Sequence, residues 1–291
     1  MHRDARPQLG CWIAEGEAAA VGLDKLQAAS AHPPQSAEDD APRGPFARLH
    51  AANPNPAAGA PGRFGRAGPR RPGPSATLDA MTKVKICGMT SLEDATQAAD
   101  LGAWAIGLIH HADSPRFVQP AVAEQIGAAL KRRCEVAGVF VNSTMEEVVG
   151  AAEREQLTLL QFHGDEGPSF CAEAGRRTGA RVMRAFRVRS AADVQAAEAF
   201  RTDLHLFDAH RPGKPGGTGA SFDWELLAGR RSQVPMVLAG GLTAENVSAA
   251  IDVVHPYAVD VVSGVEAEPG RKDPARVEAF FEAVHAKAGV G

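Results

Sequence analysis

The stretch Val84-Lys85-Ile86-Cys87-Gly88-Met89-Thr90-Ser91-Leu92-Glu93 decides the fold. Val84 to Cys87 is a short run of strand character, and the residues after Met89 change period. Thr90 and Glu93 stand in the T-x-x-E spacing of a capping box, and Ala95, Ala98, Ala99 and Leu101 recur at helical spacing until Gly102 stops the helix. A strand running through a short loop into a capped helix is one βα unit.

Seven more such units follow. The strand candidates are Val84 to Cys87, Trp104 to Ile109, Glu135 to Val141, Leu157 to Phe162, Arg181 to Phe186, Leu204 to Asp208, Met236 to Ala239 and Ala258 to Val262, each ahead of an amphipathic stretch. Their starts recur every 20 to 32 residues over about 205 residues, the rhythm of an α/β protein built as a closed (β/α)8 TIM barrel. The alternative is a doubly wound open sheet. That fold calls for a G-x-G-x-x-G dinucleotide loop after the first strand, where this chain reads Cys87-Gly88-Met89-Thr90.

Composition narrows the partners. A formal net charge of -4 supplies no basic field for a polyanion, which excludes nucleic acid as the main partner. No run of 18 apolar residues exists, so no membrane span is expected. Cys11, Cys87, Cys134 and Cys171 show neither CxxC pairing nor metal-type spacing, which fits free thiols in a reducing cytoplasm and predicts no metal site.

Barrel enzymes place their chemistry at the C-terminal ends of the strands. The first strand ends in Cys87, and Lys85, two positions earlier, shares its face by the strand's period of two. Beside an ammonium, the thiol is expected to have its pKa lowered toward neutrality and to serve as a general base. Cys134 and Cys171 lack such a setting and read as packing residues. The sixth strand ends in Asp208, three strands from the first around a ring of eight. An acid and a base flanking one ligand suit aldose-to-ketose chemistry.

Glycine-rich segments follow the sixth, seventh and eighth strands. They contain Gly217 and Gly219, Gly240 and Gly241, and Ser263 and Gly264. Glycine lets backbone amides approach an anion closely, and the last two loops occupy the usual phosphate position of such barrels. A phosphorylated small-molecule substrate is expected. Arg116, after the second strand, offers a planar fork for a carboxylate, and His163, after the fourth, is placed to line the pocket. The substrate-binding set is thus Lys85, Arg116, His163 and these glycines with Ser263.

Six ordered motifs resemble those of the phosphoribosylanthranilate isomerase family of tryptophan biosynthesis. Lys85 to Thr90 is similar to K-I-C-G-L/M-T, Ser114 to Phe117 to S-P-R-Y/F, and Gln161 to Gly164 to Q-L-H-G. Gly216 to Gly219 with Phe222, Asp223 and Trp224 resembles G-G-T-G-x-x-F-D-W. Leu238 to Leu242 with Glu245 to Val247 resembles L-A-G-G-L-x-x-E-N-V, and Val259 to Glu266 resembles V-D-x-x-S-G-V-E. The resemblance implies an Amadori rearrangement of a phosphoribosyl substrate without cofactor, with Asp208 as acid and Cys87 as base. It further implies that Arg116 holds the anthranilate carboxylate and that the loops at Gly240, Gly241, Ser263 and Gly264 hold the phosphate, in a monomer or homodimer. Three departures stand out: Phe162 replaces a leucine, Val262 a small polar residue, and His110 to Asp113 an aromatic and proline-rich segment. The last of these lies at the anthranilate end of the pocket, where substrate range could differ.

Residues 81–291 make up the expected barrel. Residues 1–80 hold 11 of the 20 prolines and eight acidic against nine basic residues, a balance unlike an organellar leader, and are expected to be disordered. Met81, immediately ahead of the first strand, is the expected biological start. The intact mass of natively expressed protein tests this: a barrel beginning at Met81 is expected, and a mass that includes the extension would overturn it.

Overall fold

A computed structural model describes residues 81–208, 224–228 and 230–286. The expectations for residues 1–80 and for Gly217 and Gly219 lie outside the described residues. Within them, β1 (Lys83–Cys87), β2 (Ala105–Ile109), β3 (Glu135–Phe140) and β4 (Leu159–Phe162) alternate with α1 (Leu92–Asp100), α2 (Pro120–Leu130), α3 (Met145–Arg154) and α4 (Pro168–Thr178). The alternation continues through β5 (Arg181–Arg187), α5 (Ala191–Ala196), β6 (Leu204–Asp208), α6 (Glu225–Ala228), β7 (Met236–Ala239), α7 (Val247–Val254) and β8 (Ala258–Val261). A small hairpin, β9 (Glu266–Glu268) and β10 (Arg271–Lys272), precedes the last helix, α8 (Pro274–His285).

The eight long strands are parallel neighbours in chain order, and β8 returns to β1, so the sheet is a closed barrel. Each expected strand is present, with ends within two residues of the expected ones. Parallel strands need both faces covered, and alternation supplies two apolar layers. Leu159, Met183, Leu204, Leu206, Val237 and Ala258 fill the barrel interior. Val84, Ile86, Ile106, Val136, Leu160, Phe207 and Leu238 face outward against the helices. Among the described residues, no helix is long and apolar enough to cross a membrane.

The start of α1 differs from expectation. Ser91, not Thr90, is the cap: its side chain accepts from the Asp94 N–H at 3.1 Å. Thr90 instead donates its hydroxyl to the Gly270 carbonyl and ties the first loop to the β9–β10 hairpin. Two adjacent hydroxyl residues fit the cap equally well in sequence, and a contact 180 residues away separates their roles.

Gly107 on β2 lies opposite Cys87 in the ladder, and a Cβ there would overlap the Cys87 sulfur. The missing side chain makes the chamber for the thiol.

Candidate active site

Ladder register lines up the charged residues at the barrel mouth. Lys85 pairs with Asp260, Asp260 with Ala239, Ala239 with Asp208, and Asp208 with Arg187. Four adjacent strands, β1, β8, β7 and β6, therefore present a lysine, two carboxylates and a small alanine between them at one level. Lys85 Nζ donates to both oxygens of Asp260 at 3.1 and 3.0 Å, and both side chains are fully buried. Burial raises the Asp260 carboxyl to about 6, against the pull of Lys85, and the Asp208 charge adds to the rise.

Cys87, two residues beyond Lys85, is fully buried at the head of the interior layer. Its pKa moves upward, not down toward neutrality as the sequence suggested. Burial is the largest cause, Lys85 pulls the other way, and the Asp260 carboxylate cancels part of that pull. A thiol so shifted is protonated at neutral pH.

Asp208 and His163 meet across the interior, with His163 Nε2 3.7 Å from Asp208 Oδ2. The Gln161 amide stands 3.4 Å from His163 Nδ1. Burial, then the charges of Arg187, Arg184 and Lys85, push His163 down to about 3, so the ring is neutral.

Arg116 is buried at the second loop. Its Nε lies 3.0 Å from both oxygens of Glu266, and one terminal nitrogen is 2.8 Å from Oε2. The guanidinium is thereby fixed in place through one edge of its fork. Gly240 and Gly241 turn at φ of 101° and 65°, and Asn246 braces that loop by bonding Gly241 O and the Thr243 N–H at 2.9 Å each. A Cβ on Gly264 would overlap the Leu242 carbonyl, so the loops after β7 and β8 run in direct contact. The expected residues Cys87, Asp208, His163, Arg116, Gly240, Gly241, Ser263 and Gly264 thus lie at the C-terminal ends of their strands or in the loops beyond them, and Lys85 lies mid-strand, two residues below Cys87.

The chain is similar to known proteins along most of the barrel. A sequence model described as N-(5'phosphoribosyl)anthranilate (PRA) isomerase matches residues 84–283. The chain belongs to this family. The N-(5'-phosphoribosyl)anthranilate isomerase of Geobacter metallireducens is 46% identical over 201 residues, covering 69% of this chain and 98% of that protein. The crystal structure of the Thermotoga maritima phosphoribosyl anthranilate isomerase is 40% identical with a TM-score of 0.66, covering 71% of this chain and all of that one. A second structure, phosphoribosyl anthranilate isomerase in complex with reduced 1-(o-carboxyphenylamino)-1-deoxyribulose 5-phosphate, is 37% identical with a TM-score of 0.63 over the same shares.

Several residues that brace this candidate site are not marked by any local sequence pattern. Asp260 and Glu266 stand in the last motif, but nothing local marks them as partners of Lys85 and Arg116. Arg184 holds the fourth loop by donating to the carbonyls of Phe162 and Gly164 at 2.7 Å each. Glu166 accepts from the Asn142 and Gly164 N–H groups at 2.7 and 2.9 Å and joins the third and fourth loops.

The neutral histidines set an acid limit on the isomerase barrel. His205, buried behind β6 against Phe186 and Phe207, is pushed down to about 4, chiefly by burial. Unfolded, His163 and His205 both titrate near 6.5, so below that pH the unfolded chain binds protons that the fold refuses. Stability is full above that value and is lost as the pH falls toward 4 and below, by up to about 1.4 kcal/mol per pH unit for each histidine. Urea unfolding at a series of pH values measures this slope, and His205→Gln is expected to reduce it. An unchanged slope would remove His205 from the balance.

Proposed function

We propose that Asp208 and Cys87 are the acid and base of this chain's isomerisation. The reaction converts the aminoaldose N-(5-phosphoribosyl)anthranilate to the aminoketose 1-(2-carboxyphenylamino)-1-deoxyribulose 5-phosphate, an Amadori rearrangement in tryptophan biosynthesis. Substrate and product are isomers, so the chemistry moves protons with no net oxidation or reduction.

The ladder that sets Asp208 three strands from β1 carries this reading, because the two groups reach a central ligand from different sides. Asp208 donates a proton to the furanose ring oxygen as the nitrogen lone pair opens the C1–O bond, leaving a cationic imine. His163, neutral and facing Asp208, orients that carboxyl without competing for its proton. The imine acidifies the C2–H bond, and Cys87 takes that proton to give an enolamine. Protonation at C1 and loss of the C2 hydroxyl proton complete the ketone.

The raised thiol pKa fits this order of events. A protonated thiol is inert until ring opening places the imine's positive charge beside it, and that charge favours the thiolate. Lys85 supports the same step from below. Arg116 is assigned to the anthranilate carboxylate, and the loops of Gly240, Gly241, Ser263 and Gly264 to the phosphate. Gly217 and Gly219 are assigned to the substrate from their motif alone. One chain supplies every residue named, so the assignment holds for a monomer or a homodimer. A thiol base suits a reducing cytoplasm.

Loss of substrate fluorescence tests the assignment, with phosphoribosylanthranilate generated in place from anthranilate and phosphoribosyl pyrophosphate by a transferase. Cys87→Ala and Asp208→Asn are each expected to lower kcat/KM by about 10²–10⁴-fold or more with unchanged circular dichroism. Near-wild-type turnover in either variant would remove that residue from the mechanism.

A further inference from the structure

We propose that Lys272 is a positioning residue for this reaction, acting on Cys87 directly and on Arg116 through Glu266. The inference rests on the reading of Cys87 as base. β10 carries Lys272 to the C-terminal ends of β1 and β8, where it is 2% exposed. Its ammonium donates to the carbonyl oxygen of Cys87 itself at 2.7 Å and to Glu266 Oε1 at 3.0 Å, with the Val262 carbonyl at 3.5 Å. Glu266 in turn grips Arg116 through both carboxylate oxygens. Direct contacts therefore connect the end of the base's strand to the guanidinium assigned to the substrate carboxylate.

The hairpin is anchored where this contact requires it. The Lys272 N–H bonds Asp94 at the start of α1 at 3.0 Å, the Gly270 N–H reaches Glu266 at 3.2 Å, and Thr90 holds the Gly270 carbonyl. At this same end of β1, the N–H groups of Gly88 and Met89 both bond Gly107 O, at 3.0 and 2.9 Å. The Cys87–Gly88 peptide is held on one side by β2 and on the other by an ammonium.

A neutral donor would satisfy the Cys87 carbonyl equally well, and a buried lysine is costly to keep charged. The charge has a use. Lys272, Arg116 and Glu266 together carry one more positive than negative charge, and Lys272 sits against the Cys87 carbonyl. Among the groups facing Cys87, the pull of Lys85 is opposed by its own partner Asp260, whereas Lys272 adds to the stabilisation of a thiolate. Burial, the largest cause, moves the Lys272 pKa downward, with Arg116 adding to the fall and Glu266 opposing it.

The pH profile of kcat/KM in the full chain separates this role from a structural one. Removing a positive charge raises the thiol pKa, so Lys272→Gln is expected to move the ascending limb to higher pH. Activity at neutral pH should fall by up to about 10²-fold, the scale for a misplaced reactive group, and KM should rise as Arg116 loosens. Lys272→Arg, which restores the charge, is expected to return the limb toward its wild-type position. A Lys272→Gln enzyme that loses the same factor at every pH would overturn the proposal. So would failure of both variants to fold, which would make the lysine a folding residue. Full turnover by Cys87→Ala would instead remove the base reading and this inference with it, an outcome that the Lys272 variants cannot produce.

Discussion

The buried Lys85–Asp260 ion pair sits on the seam where β1 meets β8, 175 residues apart in sequence, and the geometry of the site depends on it. Neither charge tolerates that interior alone: removing one partner of a buried pair costs about 3–5 kcal/mol, because the other remains uncompensated. A register slip by one residue would turn Lys85 out of the barrel and leave Asp260 unpaired. The pair therefore favours one register for closure. With that register set, Cys87 heads the interior layer, Ala239 leaves space beside Asp260, and Asp208 follows on β6.

Above the seam, buried charges tie the loops together. Glu166 joins the third and fourth, Arg184 holds the fourth from β5, and Glu266 with Lys272 links the second loop to the ends of β1 and β8. Apolar packing fills the barrel below, where shape alone suffices. Polar groups at the mouth bring specific atoms to specific places at a cost in stability, as the suppressed titration of His163 shows. Rigid placement of the proposed acid, base and anion-binding groups offsets that cost in function.

How much of this was legible in the sequence follows the range of the interaction concerned. Strand parity showed that Lys85 and Cys87 share a face, and strand counting placed Asp208 across the mouth, because both depend on local period and chain order. The glycines at 240, 241 and 264 were legible as places of close backbone approach. The partners were not. Asp260 meets Lys85, Glu266 meets Arg116 and Lys272 reaches the Cys87 carbonyl across separations of 175, 150 and 185 residues, and no local pattern encodes such contacts. The direction of the Cys87 shift was misjudged for the same reason. The neighbouring lysine was visible in sequence, whereas full burial and the opposing carboxylate were not.

The most direct test of the acid–base arrangement is a crystal structure of this chain with the reduced product analogue bound. The account predicts the Cys87 sulfur about 3–3.5 Å from C2 and an Asp208 oxygen within about 2.6–3.2 Å of the oxygen released on ring opening. The analogue's carboxylate should lie on Arg116, and its phosphate between the Gly240–Gly241 turn and Ser263. An analogue bound in the reverse direction, or one with C2 beyond reach of the sulfur, would contradict it.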